Sequence, residues 1–345
     1  MSFRSLVVLL LISVFGCAKA LKYDKASELG RIEEYDKLVQ VKEIETPSPT
    51  PSPELSGPSS ASQAAASPSP TPSRKPVPKE KGSKTKSESQ KKKGTRLPEI
   101  EDGEGFEGRR PLVDPFRVGE SVTLMMTYFG VSAGDMTLQV LPFKEVNGRK
   151  AYHFKVILKS SPLFSMVYSV DDWADSLFDY EEMKPYTFSV HAIESKKLLE
   201  VRTFFDWSRE KAQRWERLVT KEEGAKERKK EWDIPNYAQN VFSAVYYLRT
   251  FALRVGKTYK FVVADDGRNY VVSGEVLRKE KLRTDAGPLD TLVIKPTVYL
   301  DNIFQPMGTV LVWVTDDDQK MMVRMEAEVK IGKIVAQLRT MNRGQ

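Results

Sequence analysis

The sequence predicts an all-β domain with one main helix over residues 111–341, built as an antiparallel multi-strand curled sheet, a sandwich or a barrel-like closure. Three observations predict it. Apolar residues recur at every second position in run after run from Val122 onward, the period of a half-buried strand. Asn147-Gly148 and Asp266-Gly267 fall between such runs, where residues that tolerate positive φ make tight hairpin turns. A helical period stands out once, and short strands joined by turns without alternating helices argue for an antiparallel all-β architecture.

The elements follow in order. Val122, Leu124 and Met126 alternate with polar or smaller neighbours, as do Met136, Leu138 and Val140, and Tyr152, Phe154, Val156 and Leu158. The Asn147-Gly148 turn joins the second and third of these runs. Further strands are expected at 173–179, 186–194, 199–207, 213–220 and 229–232. After them, Val241, Ala244, Val245 and Leu248 stand at i, i+3, i+4 and i+7, one face of a helix over 240–250. Strands resume at 259–264, 270–283, 291–300, 309–315, 321–330 and 333–339, leaving 342–345 as a tail.

The chain before this domain has a different character. Eleven of its 20 prolines lie between Pro47 and Pro98, where Leu55, Val77 and Leu97 are the only large apolar residues. Residues 46–110 are therefore expected to be a disordered Pro/Ser/Lys-rich tether. Its alternating Pro-Ser/Thr part, 46–78, favours polyproline II and would span on the order of 100 Å when extended. Residues 17–45 form a short segment with weak helical spacing (Leu29, Ile32, Leu38, Val39) interrupted by Gly30, a marginal helix.

Residues 1–16 read as an export signal, with Arg4 followed by the apolar run Leu6–Phe15, too short to span a bilayer. Val14-Phe15-Gly16-Cys17 resembles the bacterial lipoprotein box, which makes Cys17, the one cysteine of the chain, the expected lipidation site. Acyl methylenes buried in a bilayer at about 0.8 kcal/mol each would then anchor a chain that is otherwise soluble. Ordinary signal cleavage near Ala18 or Ala20 is the alternative. By the sorting rule that the resemblance carries from enteric bacteria, Ala18 beside the cysteine suggests the outer membrane.

Composition narrows the chemistry. The 54 Lys+Arg and 47 Asp+Glu leave a net charge of +7, but residues 74–96 alone hold ten basic residues against Glu80 and Glu88. That run carries +8, so everything else is near neutral, and no nucleic-acid footprint falls on the domain. The run is a solvated spacer or a contact for an anionic envelope polymer. A single cysteine excludes internal disulfides, and His153 and His191, both inside strand patterns, are too few for a histidine metal centre.

Gly130-Val131-Ser132-Ala133-Gly134 matches the nucleophile-elbow spacing, yet the alternation after Gly134 predicts a hairpin turn rather than a strand–turn–helix. Asp171, Asp172, Asp175, Asp179, Glu181 and Glu182 cluster without the 1-3-5 spacing and turn glycine of a calcium loop. Asp316-Asp317-Asp318 reads as turn chemistry. Met125, Met126, Met136, Met166, Met307, Met321, Met322 and Met325 supply flexible side chains that fill irregular cores or line apolar grooves. No catalytic residue, metal ligand or cofactor is expected.

The stretch Pro115–Leu338 resembles a family of exported Gram-negative proteins known as a domain of unknown function, DUF3108. The resemblance is carried by Pro115-Phe116-Arg117-Val118-Gly119-Glu120, Tyr128-Phe129-Gly130 with Gly134, Ser169-Val170-Asp171-Asp172, Phe205-Asp206 and Asp233-Ile234-Pro235. Ser243-Ala244-Val245-Tyr246-Tyr247-Leu248-Arg249, Ala286-Gly287 and Trp313-Val314-Thr315-Asp316-Asp317 complete it. Asn240 departs from the family pattern, which has Asp before the helix. The resemblance implies export and a β-rich fold and no activity. A curled sheet with one helix also looks like the periplasmic lipoprotein carriers, a fold analogy alone.

These readings lead to a non-catalytic envelope lipoprotein, lipid-anchored on the periplasmic side of a membrane. Its all-β domain would bind or scaffold a lipid or protein partner at the end of a flexible linker. The alternatives are a periplasmic carrier of lipid or another apolar ligand in a concave sheet, with helix 240–250 as lid or plug, and a cell-envelope hydrolase. An empty apolar cavity of a few hundred Å³ separates carrier from scaffold.

Overall fold

The computed structural model describes residues 30, 32–44, 101–301, 303–304, 308–329 and 331–345. The export signal, Cys17 and residues 46–100 of the expected tether lie outside the described residues. The chain runs α1 (Glu33–Leu38), β1 (Val41–Glu43), β2 (Phe106–Glu107), β3 (Arg110–Pro111), β4 (Glu120–Tyr128), β5 (Val131–Val146), β6 (Arg149–Ser160) and α2 (Pro162–Ser165). It continues through β7 (Val170–Asp179), β8 (Pro185–Glu194), β9 (Lys197–Asp206), β10 (Lys211–Thr220), β11 (Gly224–Asp233) and α3 (Ser243–Leu248). The last part is β12 (Thr258–Asp265), β13 (Arg268–Thr284), β14 (Gly287–Leu300), β15 (Ile303–Phe304), β16 (Val310–Thr315), β17 (Met322–Glu328) and β18 (Lys333–Arg343).

The fold is all-β. One large antiparallel sheet follows the order β11-β10-β9-β8-β7-β6-β5-β4-β18-β17-β16-β14-β13-β12. Sequence neighbours pair throughout, as turn-linked strands dictate, with one long-range closure where β18 lies on β4. Asn147 and Asp266 take φ of 50° and 47° in the two expected hairpin turns. Register shifts within the β4–β5, β5–β6, β13–β14 and β18–β4 pairs set one more residue on one strand than on its partner. Such bulges bend and twist a sheet, which is how strands as long as 16 and 17 residues curl around a core.

The sheet does not close into a barrel. Between its edges, β11 and β12, Gln239 makes a single bridge to Val263, with Gln239 N donating to Val262 O and Ala264 N to Gln239 O, both 2.8 Å. Side chains span the rest of the seam. Arg214 meets Asp265 at 3.3 Å, Lys230 meets Asp266 at 2.7 Å, and Asn269 Nδ2 donates to Asp233 O at 2.9 Å. Burial, against the pull of Arg214, pushes the Asp265 carboxyl up to about 6.

The alternate residues of β4–β9 point to the concave side and meet those of β12–β18 in one core around Phe154, Phe178, Phe188, Val263, Ile294 and Leu338. A second, smaller core lies on the convex side. There α1 and the residues flanking it set Ile32, Tyr35, Leu38 and Val39 against Val146, Leu177, Phe204 and Trp215. Six residues are too few for a helix to persist alone, so packing holds α1 in place. Asn147, the hairpin residue, accepts from Gln40 N and donates to Leu38 O, both 2.9 Å, and β1 pairs with the end of β5. Glu34 adds an ion pair to Lys229 at 2.6 Å.

This corrects the expected layout. Of the tether expected at 46–110, the final residues 101–110 belong to the module. Glu101 is buried against Arg109 at 2.6 Å, and Phe106–Glu107 pairs with Arg110–Pro111. With α1 and β1 also seated on the sheet, the module has described residues on both sides of 45–100.

Candidate functional site

The helix α3 is set by its capping residues. Asn240 is buried, and its Oδ1 accepts from Phe242 N at 2.9 Å and Ser243 N at 2.6 Å, satisfying amides that the helix start would leave open. Its Nδ2 donates to Ser176 Oγ at 2.8 Å, while Ser176 Oγ in turn donates to Thr187 O. The departure from Asp at this position thus supplies a donor that a carboxylate lacks. Asn240→Asp is expected to cost about 1–3 kcal/mol, because Ser176 loses its donor and a charge is buried; thermal unfolding of the two proteins checks this, and equal midpoints would refute it.

The helix turns two different faces to its surroundings. Phe242, Tyr246 and Tyr247 are fully buried, with Tyr246 stacked on Phe154 at 3.8 Å between ring centroids. Of the stripe read from the sequence, Val241, Ala244 and Leu248 are partly covered and Val245 is exposed, and all four line a cavity. Gly274 on β13 lets the helix approach: a Cβ there would meet Leu248 Cδ1 at 3.2 Å and Ile294 Cγ2 at 3.3 Å.

The cavity has a volume of about 320 Å³. Its walls are Met136, Leu138, Val156 and Leu158 on one side and Val272, Ile294, Val312 and Met325 on the other. The size is that of a small-molecule pocket. Apolar cavities of even half that volume stay dry and accept apolar ligands.

Few polar groups reach it. Arg249, which follows α3, is held in a buried fork to Glu120, Nη1–Oε1 2.6 Å and Nη2–Oε2 2.8 Å. Burial moves the Lys320 amine down, and its Nζ donates to Asp318 O at 3.2 Å. Asp172 on β7 is 6% exposed, its Oδ1 accepts from Ile193 N at 2.9 Å, and its Oδ2 has no hydrogen-bond partner among the described residues. Burial, and then the neighbouring Glu194 charge, push its carboxyl up to about 7 against the pull of Lys197.

Asp172 lies near the strand ends where the β4–β5, β6–β7 and β17–β18 connections gather. Phe129, Val131, Leu163, Met166, Val167 and Ile331 are all exposed there, Met166 to 77%. Phe129 and Gly332 of neighbouring turns touch, since a Cβ on Gly332 would fall 2.9 Å from the Phe129 ring. The cavity thus has a tightly hydrogen-bonded lining residue in Arg249 and a half-satisfied one in Asp172.

The family model for the protein of unknown function DUF3108 matches residues 123–339. The chain belongs to the DUF3108 family. No curated protein matches it. Among solved structures, a beta-barrel-like protein of the domain of unknown function DUF1849 from Brucella abortus is similar at 12% identity, with TM-score 0.43, over 65% of this chain and 97% of that one. A proposed exported protein with a YmcC-like fold from Bacteroides fragilis is similar at 9% identity and TM-score 0.30, over 67% of this chain and 98% of that one. A proposed lipoprotein from Parabacteroides distasonis is similar at 10% identity and TM-score 0.29, over 67% and 99%.

In this DUF3108 protein the residues singled out in the sequence are scattered. Ser132 is an exposed strand residue whose carbonyl accepts from Ser161 Oγ at 2.9 Å. Gly134 sits at a bulge where any Cβ would collide with the Lys159 carbonyl, so the glycine spacing serves strand contact. His153 lies 3.6 Å from Asp175, and His191 pairs with Glu200 and stacks on Trp173. Asp179 is bound by Arg149 at 2.7 Å and by Tyr186, away from Asp172. Asp317 Oδ1 caps its turn by accepting from Thr315 Oγ1, Gln319 N and Lys320 N. Among the described residues no group of three or more His, Cys, Asp or Glu could hold a metal ion.

Of the methionines, Met136, Met322 and Met325 line the cavity, Met321 is core, and Met166 is exposed; Met307 lies outside the described residues. Sequence reasoning missed the special position of Asp172, although one signal was there: in the strand alternation it occupies an inward position that Ala174 and Phe178 continue.

Proposed function

We propose that this DUF3108 chain is a non-catalytic envelope lipoprotein, anchored through Cys17, whose sheet binds the chain of an apolar or amphiphilic ligand on its concave side. The observation that carries the reading is the cavity of about 320 Å³ walled by strand and helix side chains that are almost all apolar. A scaffold has no use for such a void, since each unfilled volume forfeits packing contacts and costs stability. The half-covered helix stripe fits the same reading, with α3 as one wall of the pocket. Support for binding over catalysis comes from the groups around the cavity. The Arg249 fork is satisfied by Glu120, and Asp172 has no nucleophile within hydrogen-bond reach among the described residues. The Lys-rich residues 74–96 supply a contact for an anionic envelope polymer through screened, sequence-independent attraction.

Solvent extraction of the purified full-length chain, followed by mass spectrometry, is expected to release an amphiphile in near-stoichiometric amount. Ala174→Phe places a ring into the cavity wall and is expected to cut that yield at least tenfold. Equal yields from both proteins, or none from either, would defeat the reading.

A further inference from the structure

One residue that lines the cavity, Asp172, holds a buried oxygen with no hydrogen-bond partner among the described residues. That oxygen is Oδ2, whereas Oδ1 is occupied by Ile193 N at 2.9 Å. A buried carboxyl left half-satisfied costs stability unless something completes it. Its charged neighbours do not. Glu194 on β8 takes Lys197, at the start of β9, at 2.9 Å and also the Tyr168 hydroxyl. Asp171 beside it takes Lys159 on β6 at 3.4 Å. Asp171, Glu194 and Arg249 have ion-pair partners, Lys320 donates to the Asp318 carbonyl, and the open oxygen belongs to a side chain that lines an apolar cavity.

We propose that Asp172 is the head-group contact of the cavity, donating a hydrogen bond from Oδ2 to an uncharged oxygen, a hydroxyl or an ester carbonyl, of a single-chain amphiphile. The proposal rests on the reading of the cavity as a ligand site and adds the chemistry of the ligand's polar end. The backbone donor on Oδ1 directs the proton to Oδ2, and burial keeps the carboxyl protonated up to about pH 7. A carboxylate head would bring a second negative charge next to Asp172 and Glu194. An ammonium head would need the ionised form that burial disfavours, and would itself lose its water on entry. A neutral oxygen asks for neither. The apolar tail then runs along Leu158, Met136 and Val156 toward the α3 stripe.

The test is displacement of the neutral dye N-phenylnaphthylamine from the full-length chain by dodecanol, dodecanoate and dodecylammonium, in the parent and in Asp172→Asn and Asp172→Leu. In the parent at pH 6 dodecanol is expected to displace the dye best, and about fivefold more weakly in Asp172→Leu, which keeps the apolar wall and removes the donor. Asp172→Asn retains a neutral donor and is expected to match the parent at pH 6. Raising the pH to 8 is expected to weaken dodecanol in the parent and leave Asp172→Asn unchanged. Identical dodecanol affinities in all three proteins would overturn the proposal. So would dodecylammonium as the best ligand at pH 8 with loss in Asp172→Asn, since that marks an ion pair. Failure of the dye to bind any of the three proteins would instead remove the ligand site itself.

Discussion

Replacing Arg249 by methionine is expected to lower the unfolding free energy by about 3–5 kcal/mol. Its guanidinium makes the buried fork to Glu120, donates from Nη2 to Pro115 O at 3.0 Å and from Nε to Gln319 O at 2.7 Å. One side chain therefore ties α3 to the chain entering β4 and to the β16–β17 turn. Methionine fills much of the volume but leaves the Glu120 carboxylate without its cation, and two carbonyls lose their donor. The cost comes from that uncompensated charge rather than from lost attraction. The double replacement Glu120→Leu with Arg249→Met is accordingly expected to recover most of the loss. Urea unfolding of the three proteins checks both statements; a single variant within 1 kcal/mol of the parent would show that water already reaches the pair.

Asp172→Asn is expected to stabilise the protein at pH 8 by roughly 2–4 kcal/mol and to leave it nearly unchanged at pH 4. The folded carboxyl titrates at about 7 against an ordinary 3.8, so folding takes up a proton between those values. The native state binds more protons than the unfolded one there, and stability falls as pH rises through that window. Below pH 4 both states are protonated and no penalty exists. Asparagine keeps the acceptor for Ile193 N and never ionises, so it escapes the loss at high pH. Asp265, also raised by burial, gives the same sign and remains in both proteins, which leaves the difference to Asp172. Melting temperatures from pH 4 to 8 measure it; parallel curves for parent and variant would mean that the carboxylate is compensated.

Much of the strand framework was legible because it is local. The runs at 122–126, 136–140 and 152–158 alternate, and the Asn147-Gly148 turn can link only neighbouring strands. The open seam between β11 and β12 was not legible, since it depends on where the sheet stops after fourteen strands in line. The helix stripe was legible as a face, but what it faces was not: Val241, Ala244, Val245 and Leu248 line the cavity, while the aromatic residues between them are the more deeply buried. The seating of α1 was hidden for another reason. Ile32, Tyr35 and Val39 are too few to mark a core segment, and what holds them is Asn147, Phe204 and Trp215 from distant strands. Asp172 was visible only as one of six acids, because periodicity says which way a side chain points but not whether its oxygen finds a donor.

The seating of α1 and β1 also bears on how far the module could stand from a lipid on Cys17. Were Cys17 lipidated, as proposed above, the 14 residues 18–31 would separate it from the first docked residue, Ile32, a covalent reach of no more than about 50 Å. Docked residues stand on both sides of the proline-rich stretch, β1 before it and Glu101 after it, so that reach does not include it. On the proposed anchoring, the stand-off height would be set by residues 18–31 and not by the prolines.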